Sequence, residues 1–135
     1  MKSPTWVLHE TVLALHEQIF KDFGGGSGLR DPGLLDSALA RPLNAAAYGE
    51  PSVFSLAASY AFGLIKNHPF VDGNKRMAFS VAVLFLELNG YRFKAAEADA
   101  AVQTLGLAAG AVGEEEYAGW LERNADRAGR RRRTR

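Results

Sequence analysis

The stretch HPFVDGNKRMAFSVAVLFLELNG, residues 68–90, decides the fold. From about Asn74 to Asn89 it reads as one apolar helix, stopped by Gly90, a favourable residue just past a helix end. Ahead of it, Pro69 disfavours helical dihedrals at His68, so an upstream helix must stop near Asn67. Residues 68–73 are then a short loop between two helices. Lys75 and Arg76 fall where the second helix begins. The first turn of a helix carries partial positive charge, so cations there are opposed by about 0.3–1 kcal/mol each. An anion at that place would remove the objection.

Working outward, Ser52 is an N-cap for a long helix whose Val53, Leu56, Ala57, Tyr60, Ala61, Leu64 and Ile65 face inward. Pro42, Gly49 and Pro51 make residues 41–51 read as an irregular excursion. Asp31 caps a short helix with Pro32 at its first position. Apolar residues at three- and four-residue spacing give an amphipathic helix over about 6–22, ended by the GGGSG loop at 24–28. Downstream, 91–95 reads as a short extended piece, and helices follow over about 96–109 and 114–127. The fold class is all-α, a single domain over 1–127 arranged as a helical bundle. The Arg-rich 128–135 holds too little apolar content to fold and is expected to be a disordered tail.

Composition narrows the classes. A chain of 135 residues with 47% hydrophobic and 23% charged content can bury one core. The net charge of +1 is uneven: seven arginines against Glu122 and Asp126 give residues 121–135 a local +5, leaving −4 for residues 1–120. Zero cysteines exclude disulfides and thiolate metal sites, which suits a reducing cytoplasm. The longest apolar run, 77–86, is broken by Ser80 and is too short to span a bilayer.

The loop and helix start hold the parts for phosphoryl or nucleotidyl transfer. Exposed N–H groups at a helix start bind anions. Gly73 allows close backbone approach, Asn74 can cap the helix or donate to a phosphate oxygen, and Lys75 and Arg76 add charge. Asp72 is a hard oxygen ligand suited to Mg²⁺, which binds through one or two carboxylates plus substrate phosphates. His68 carries an imidazole, the side chain most often used as a general base. Taken singly, each residue has an ordinary reading: a DGN turn, a loop histidine, two solvated cations. Their concurrence within nine residues favours the functional one.

HPFVDGNKR also resembles the H-x-F-x-[D/E]-[G/A]-N-[K/G]-R signature of the Fic/Doc superfamily. ALHEQIFKDFGG, GLRDPGLLDSALARP and LFLELNG resemble its Doc (death-on-curing) branch, so the likeness runs to about residue 127. It implies a compact helical bundle in which His68 deprotonates a hydroxyl of a target protein and Asp72 serves Mg²⁺. Gly73, Asn74, Lys75 and Arg76 would hold the ATP phosphates, and Phe70 would anchor the loop in the core.

Two departures concern the chemistry. AMP-transferring relatives resemble H-P-F-x-x-G-N-G-R-x-x-R, whereas here Lys75 replaces the second glycine and Phe79 stands in place of the second arginine. Both match Doc-type toxins, which transfer the terminal phosphoryl group; their target resembles a threonine of translation elongation factor Tu. AMP transfer is the alternative. No inhibitory [S/T]-x-x-x-E-[G/N] segment is found, so the resemblance implies a separate Phd-like antitoxin as partner.

Other features point less far. His9 and His16 lie seven residues apart on one helix, about 10 Å along its axis, and cannot share a metal directly. Glu114–Glu116 favour a helix N-terminus. The basic tail keeps open a non-enzymatic binding module, although no base-reading motif accompanies it and direct nucleic-acid binding is not expected.

Overall fold

The computed structural model describes residues 3–21 and 28–129. Along them run α1 (His9–Phe20), α2 (Pro32–Tyr48), α3 (Val53–Asn67), α4 (Asn74–Leu88), β1 (Tyr91–Phe93), α5 (Glu97–Ala109), α6 (Glu114–Arg123) and β2 (Ala125–Arg127). The fold is all-α with one short two-stranded ribbon. Helix α3 is its axis. Ten of its fifteen residues are buried, from Phe54 to Ile65, and a helix apolar on all sides belongs inside a bundle. It packs against α2, α4 and α6, meeting a core that includes Leu35, Met77, Val81, Phe85, Tyr117 and Leu121.

The caps follow the sequence. Asp31 Oδ1 accepts from the Leu34 N–H at 3.0 Å and Pro32 opens α2. Ser52 Oγ accepts from the Ser55 N–H at 3.0 Å and starts α3. Gly90, at φ +92°, follows the end of α4. At α6 the three glutamates take different partners: Glu116 accepts from the Gly113 N–H, Glu115 from Ser55 Oγ, and Glu114 grips both terminal nitrogens of Arg41 at 2.8 and 3.0 Å. Tyr117 is fully buried and shares a 2.8 Å hydrogen bond with Thr104. Burial pushes its hydroxyl up to about 12.

Three boundaries differ from the sequence expectation. Residues 41–48 are not an irregular excursion: α2 continues through Pro42 to Tyr48. An internal proline typically costs ~3 kcal/mol or more, by removing an N–H and crowding the carbonyl four residues back. Here the proline ring is fully buried, and Asn44–Ala47 bring three good helix formers after it. The Ala38 carbonyl, which lacks that N–H donor, lies against Gly63 of α3. A Cβ at Gly63 would sit 3.2 Å from this oxygen, a tight contact that the glycine spares the two helices. Packing thereby overrides a local breaker.

The second difference is at the far end. Helix α6 stops at Arg123 rather than near 127, and β2 pairs antiparallel with β1 through Tyr91↔Arg127, Arg92↔Asp126 and Phe93↔Ala125. Lys94 N–H bonds to Asn124 O and Ala128 N–H to Gly90 O, closing both ends of the ribbon. The third is α1, which starts at His9 rather than about residue 6 because the chain before it is extended. There the Val7 N–H donates to Tyr60 Oη at 3.0 Å. Within the expected 24–28 loop only Gly28 is described, and of the expected tail only Ala128 and Gly129; residues 22–27 and 130–135 lie outside the described residues. No described helix is long and apolar enough to cross a membrane.

Candidate active site

Helix α3 hands the chain to the loop through His68, which caps it at φ +53°, ψ +53° with its N–H on Leu64 O. It is the one non-glycine residue with positive φ among the described residues. Left-handed dihedrals cost a residue with a Cβ roughly 1–2 kcal/mol, so the surroundings must hold it there. They do so from two sides.

On the outer side lies the segment just before α2. Arg30 sends its guanidinium to the last carbonyls of the α3 turn: Nη2 to His68 O at 2.6 Å, Nε to the same oxygen at 3.0 Å, and Nη2 to Asn67 O at 3.2 Å. Its backbone N–H and that of Asp31 both donate to Pro69 O, while Val71 N–H donates to Gly28 O. Leu29 and Phe70 form an antiparallel bridge between the two segments.

On the inner side the loop is bolted down by aromatic rings. Phe70 is 1% exposed, as expected of the anchor. It stacks on the buried His16 ring at 4.2 Å and 9°, and Phe20 covers His16 at 4.7 Å. His16 Nε2 is 3.3 Å from Asp72 O, placed to donate to it. Gly73, at φ +82°, precedes α4, and a Cβ there would come within 2.5 Å of the Phe20 ring. The positive φ therefore favours glycine here, and a Cβ would also have to displace the Phe20 ring.

Asn74 differs from its expected part. It is the first residue of α4, not its cap, and its side chain is 4% exposed and turned into the loop. Oδ1 accepts from Phe70 N–H at 3.0 Å, which fixes the orientation of the carboxamide. Nδ2 then donates to Phe70 O at 2.8 Å and to His68 Nδ1 at 3.1 Å. Both amide protons are engaged, so what Asn74 offers outward is its backbone N–H in the first turn. The bond to Nδ1 also places the proton of a neutral His68 ring on Nε2.

The six residues singled out from the sequence share one open depression of about 180 Å³: His68, Asp72, Gly73, Asn74, Lys75 and Arg76 line it. Asp72 is exposed, with Oδ1 accepting from Gly73 N–H at 3.0 Å. Lys75 and Arg76 are exposed and, among the described residues, make no ion pair. Phe79, one turn further along α4, points to another cluster, with Phe93 at 5.7 Å and Trp120 at 6.2 Å. His9 bonds Asp36 at 2.5 Å, and no group of three metal-ligating side chains occurs among the described residues.

The chemistry available is anion binding at a helix start, one free carboxylate oxygen for a hard cation, and an imidazole beside them. Sequence reasoning missed Arg30, His16 and Phe20. Arg30 lies 38 residues from His68, and nothing in its local pattern signals the contact.

A protein-family model described as Fic/DOC family matches residues 6–86, more than half of the chain. A protein named Protein kinase doc, from Escherichia phage P1, is 34% identical over 116 residues, covering 84% of this chain and 90% of the relative. One named Toxin Doc, from Mycolicibacterium smegmatis, is 46% identical over 76 residues; that match covers 54% of this chain and spans only 58% of the relative.

Proposed function

This chain belongs to the Fic/DOC family, and from that premise we propose that it is a toxin acting as a protein kinase, moving the terminal phosphoryl group of ATP to a protein hydroxyl. One observation carries the reading: two cations without ion-pair partners among the described residues stand at the N-terminus of α4, in one depression with His68 and Asp72. Helix dipole and side chains point the same positive potential at one place, which suits a polyphosphate. A depression of about 180 Å³ is smaller than the ~300–1,000 Å³ that wraps a whole drug-sized ligand. It fits the phosphates, with the nucleoside extending beyond.

In the transfer, the hydroxyl oxygen of the target forms a bond to the γ-phosphorus while the bond from that phosphorus to the β,γ-bridging oxygen breaks and ADP leaves. The hydroxyl proton passes to His68. The resting geometry sets a condition on that step: the lone pair of the neutral ring lies on Nδ1, against Asn74. His68 is exposed, so the ring has room to turn and present Nδ1 to the hydroxyl. Lys75, Arg76 and the first-turn N–H groups hold charge that spreads over the phosphoryl oxygens.

Asp72 is the metal residue of this reading. A single exposed carboxylate is a poor site for a free cation but suits Mg²⁺ that arrives on ATP and keeps its other ligands as phosphate oxygens and water. Bound there, Mg²⁺ supplies neutralisation of phosphate charge.

Phe79 favours γ- over α-phosphoryl chemistry. Its ring belongs to the Phe93–Trp120 cluster, so no second arginine reaches the phosphates from that position. AMP transfer is the second reading. The target implied by the family resemblance is a translation-machinery protein, with the threonine of elongation factor Tu foremost. The relative's name Toxin Doc supports a Phd-like antitoxin as inhibitory partner. The test is incubation with a cell lysate and γ-labelled or α-labelled ATP. Label on a protein from the γ position only is expected; α-label on the target would replace the kinase reading by AMP transfer.

A further inference from the structure

We propose that Arg30 is a positioning residue for His68: by clamping the carbonyls of Asn67 and His68 it holds the histidine in the left-handed conformation from which the ring reaches the phosphate depression. As a role in catalysis this rests on the transfer reading above; as a clamp it does not.

The argument begins with the dihedral. His68 has φ +53° and a Cβ, and its own N–H bond to Leu64 O closes the α3 turn without deciding how the carbonyl beyond it is aimed. That carbonyl is aimed by Arg30, which reaches it with two nitrogens and uses one of them on Asn67 O as well. A planar fork sets direction as well as distance, and a single ammonium cannot reproduce it. The sign of the charge also fits, since the end of α3 carries partial negative charge.

The clamp is joined to the loop on both sides of the histidine. The backbone of Arg30 holds Pro69 O, and the bridge Leu29↔Phe70 lies next to it. Residues 69–71 are thus tied to residues 28–31 by backbone bonds, with the guanidinium on the carbonyls of Asn67 and His68 just before them. Asn74 acts from the opposite side, on the ring through Nδ1, and only in the resting geometry. The backbone stays under the clamp of Arg30 when the ring turns. Arg30 does not line the depression, which separates it from Lys75 and Arg76: it acts on the histidine, not on the phosphates.

The experiment compares wild type, Arg30→Ala and Arg30→Lys in the full chain with two readouts. The first needs no activity: the backbone couplings that report the sign of φ at His68, measured by NMR without nucleotide. Wild type is expected to show positive φ, Arg30→Ala averaging toward negative φ, and Arg30→Lys an intermediate value. The second is transfer from γ-labelled ATP. Misplacement of a reacting group by about 1 Å can cost on the order of 100-fold, so kcat of Arg30→Ala should fall about 10–100-fold with KM for ATP within about twofold of wild type. Arg30→Lys should recover part of the loss.

Unchanged couplings in Arg30→Ala would overturn the clamp. A raised KM at constant kcat would make Arg30 a nucleotide contact instead, and a lower melting temperature with unchanged kcat would make it a helix cap alone. If Arg30→Ala does not fold, Arg30→Lys and Arg30→Gln carry the same comparison. If wild type transfers no phosphoryl group, the transfer reading fails and the couplings alone decide the clamp.

Discussion

Two helix starts in this molecule carry opposite charge, and they are built for different ends. Helix α6 opens with Glu114, Glu115 and Glu116, each bonded to a group in the protein. Helix α4 opens with Lys75 and Arg76, exposed and without ion-pair partners among the described residues. At α6 the side chains answer the helix dipole, and their free energy goes into holding α2, α3 and α6 together. At α4 they add to the dipole, and the excess positive field is left for a ligand. The contrast teaches that one local feature, charge at a helix N-terminus, reads as structure when it is satisfied within the fold and as a site when it is not.

The largest expected effect lies on the α4 side. His68→Ala should reduce γ-phosphoryl transfer by about 10²–10⁴-fold, the usual worth of a general base, with a melting temperature close to wild type because the ring is exposed. Near-full transfer by a folded variant would remove the base from the mechanism. On the α6 side, pH offers the next test. Tyr117 ionises at about 12 in the fold and near 10 when unfolded, so above pH 10 the unfolded chain binds fewer protons. Stability should be level up to about pH 10. Between 10 and 12 it should fall by up to ~1.4 kcal/mol per pH unit for this tyrosine; Tyr60, also raised by burial, acts in the same direction. Denaturant titration across that range checks it.

Arg41→Met removes the two-pronged bond to Glu114, the bond to Ser59 and the guanidinium over Phe62 at 4.6 Å. The pair is about one-third exposed, so a loss of about 1–2 kcal/mol is expected, read as a melting temperature lower by several degrees. Helix α4 should behave in the opposite sense. Lys75→Ala with Arg76→Ala should leave stability unchanged or raise it by ~0.3–1 kcal/mol per cation removed, while ATP binding measured by calorimetry weakens. A large loss of stability there would erase the contrast between the two helices. The smallest effect is expected for Glu116→Gln, a few tenths of a kcal/mol, because the amide oxygen still accepts from Gly113 N–H.

Much of this was legible in the sequence where one residue type had one physical outcome. Asp31 and Ser52 cap because their oxygens reach an N–H three residues on, and Pro69 ends α3 where it must. The six site residues are gathered because they are nearly contiguous, so a loop and a helix start place them together without long-range information. What was not legible depended on distant partners. Pro42 stays within α2 because its ring is packed into the core, and the Ala38 carbonyl it leaves without a donor lies against Gly63 of a different helix. Residues 125–127 are a strand only because 91–93 lie beside them. Asn74 turns inward because Phe70 offers both a donor and an acceptor, and Arg30 finds His68 through the pairing of two loops.

The stacked rings beneath the loop have a use at the spectrometer. The chain has three histidines, and among the described residues only His16 lies with its imidazole face against a phenylalanine, 4.2 Å from Phe70 and nearly parallel to it, with Phe20 close by. Its carbon-bound ring protons therefore sit in the shielding region of aromatic currents, and their resonances are expected upfield of those of His9 and His68. Phe70 is buried and its backbone is bonded to Asn74 within the loop, so that upfield position reports whether the loop is seated. It can be followed while nucleotide, an inhibitor or a variant is introduced, without any assay of transfer.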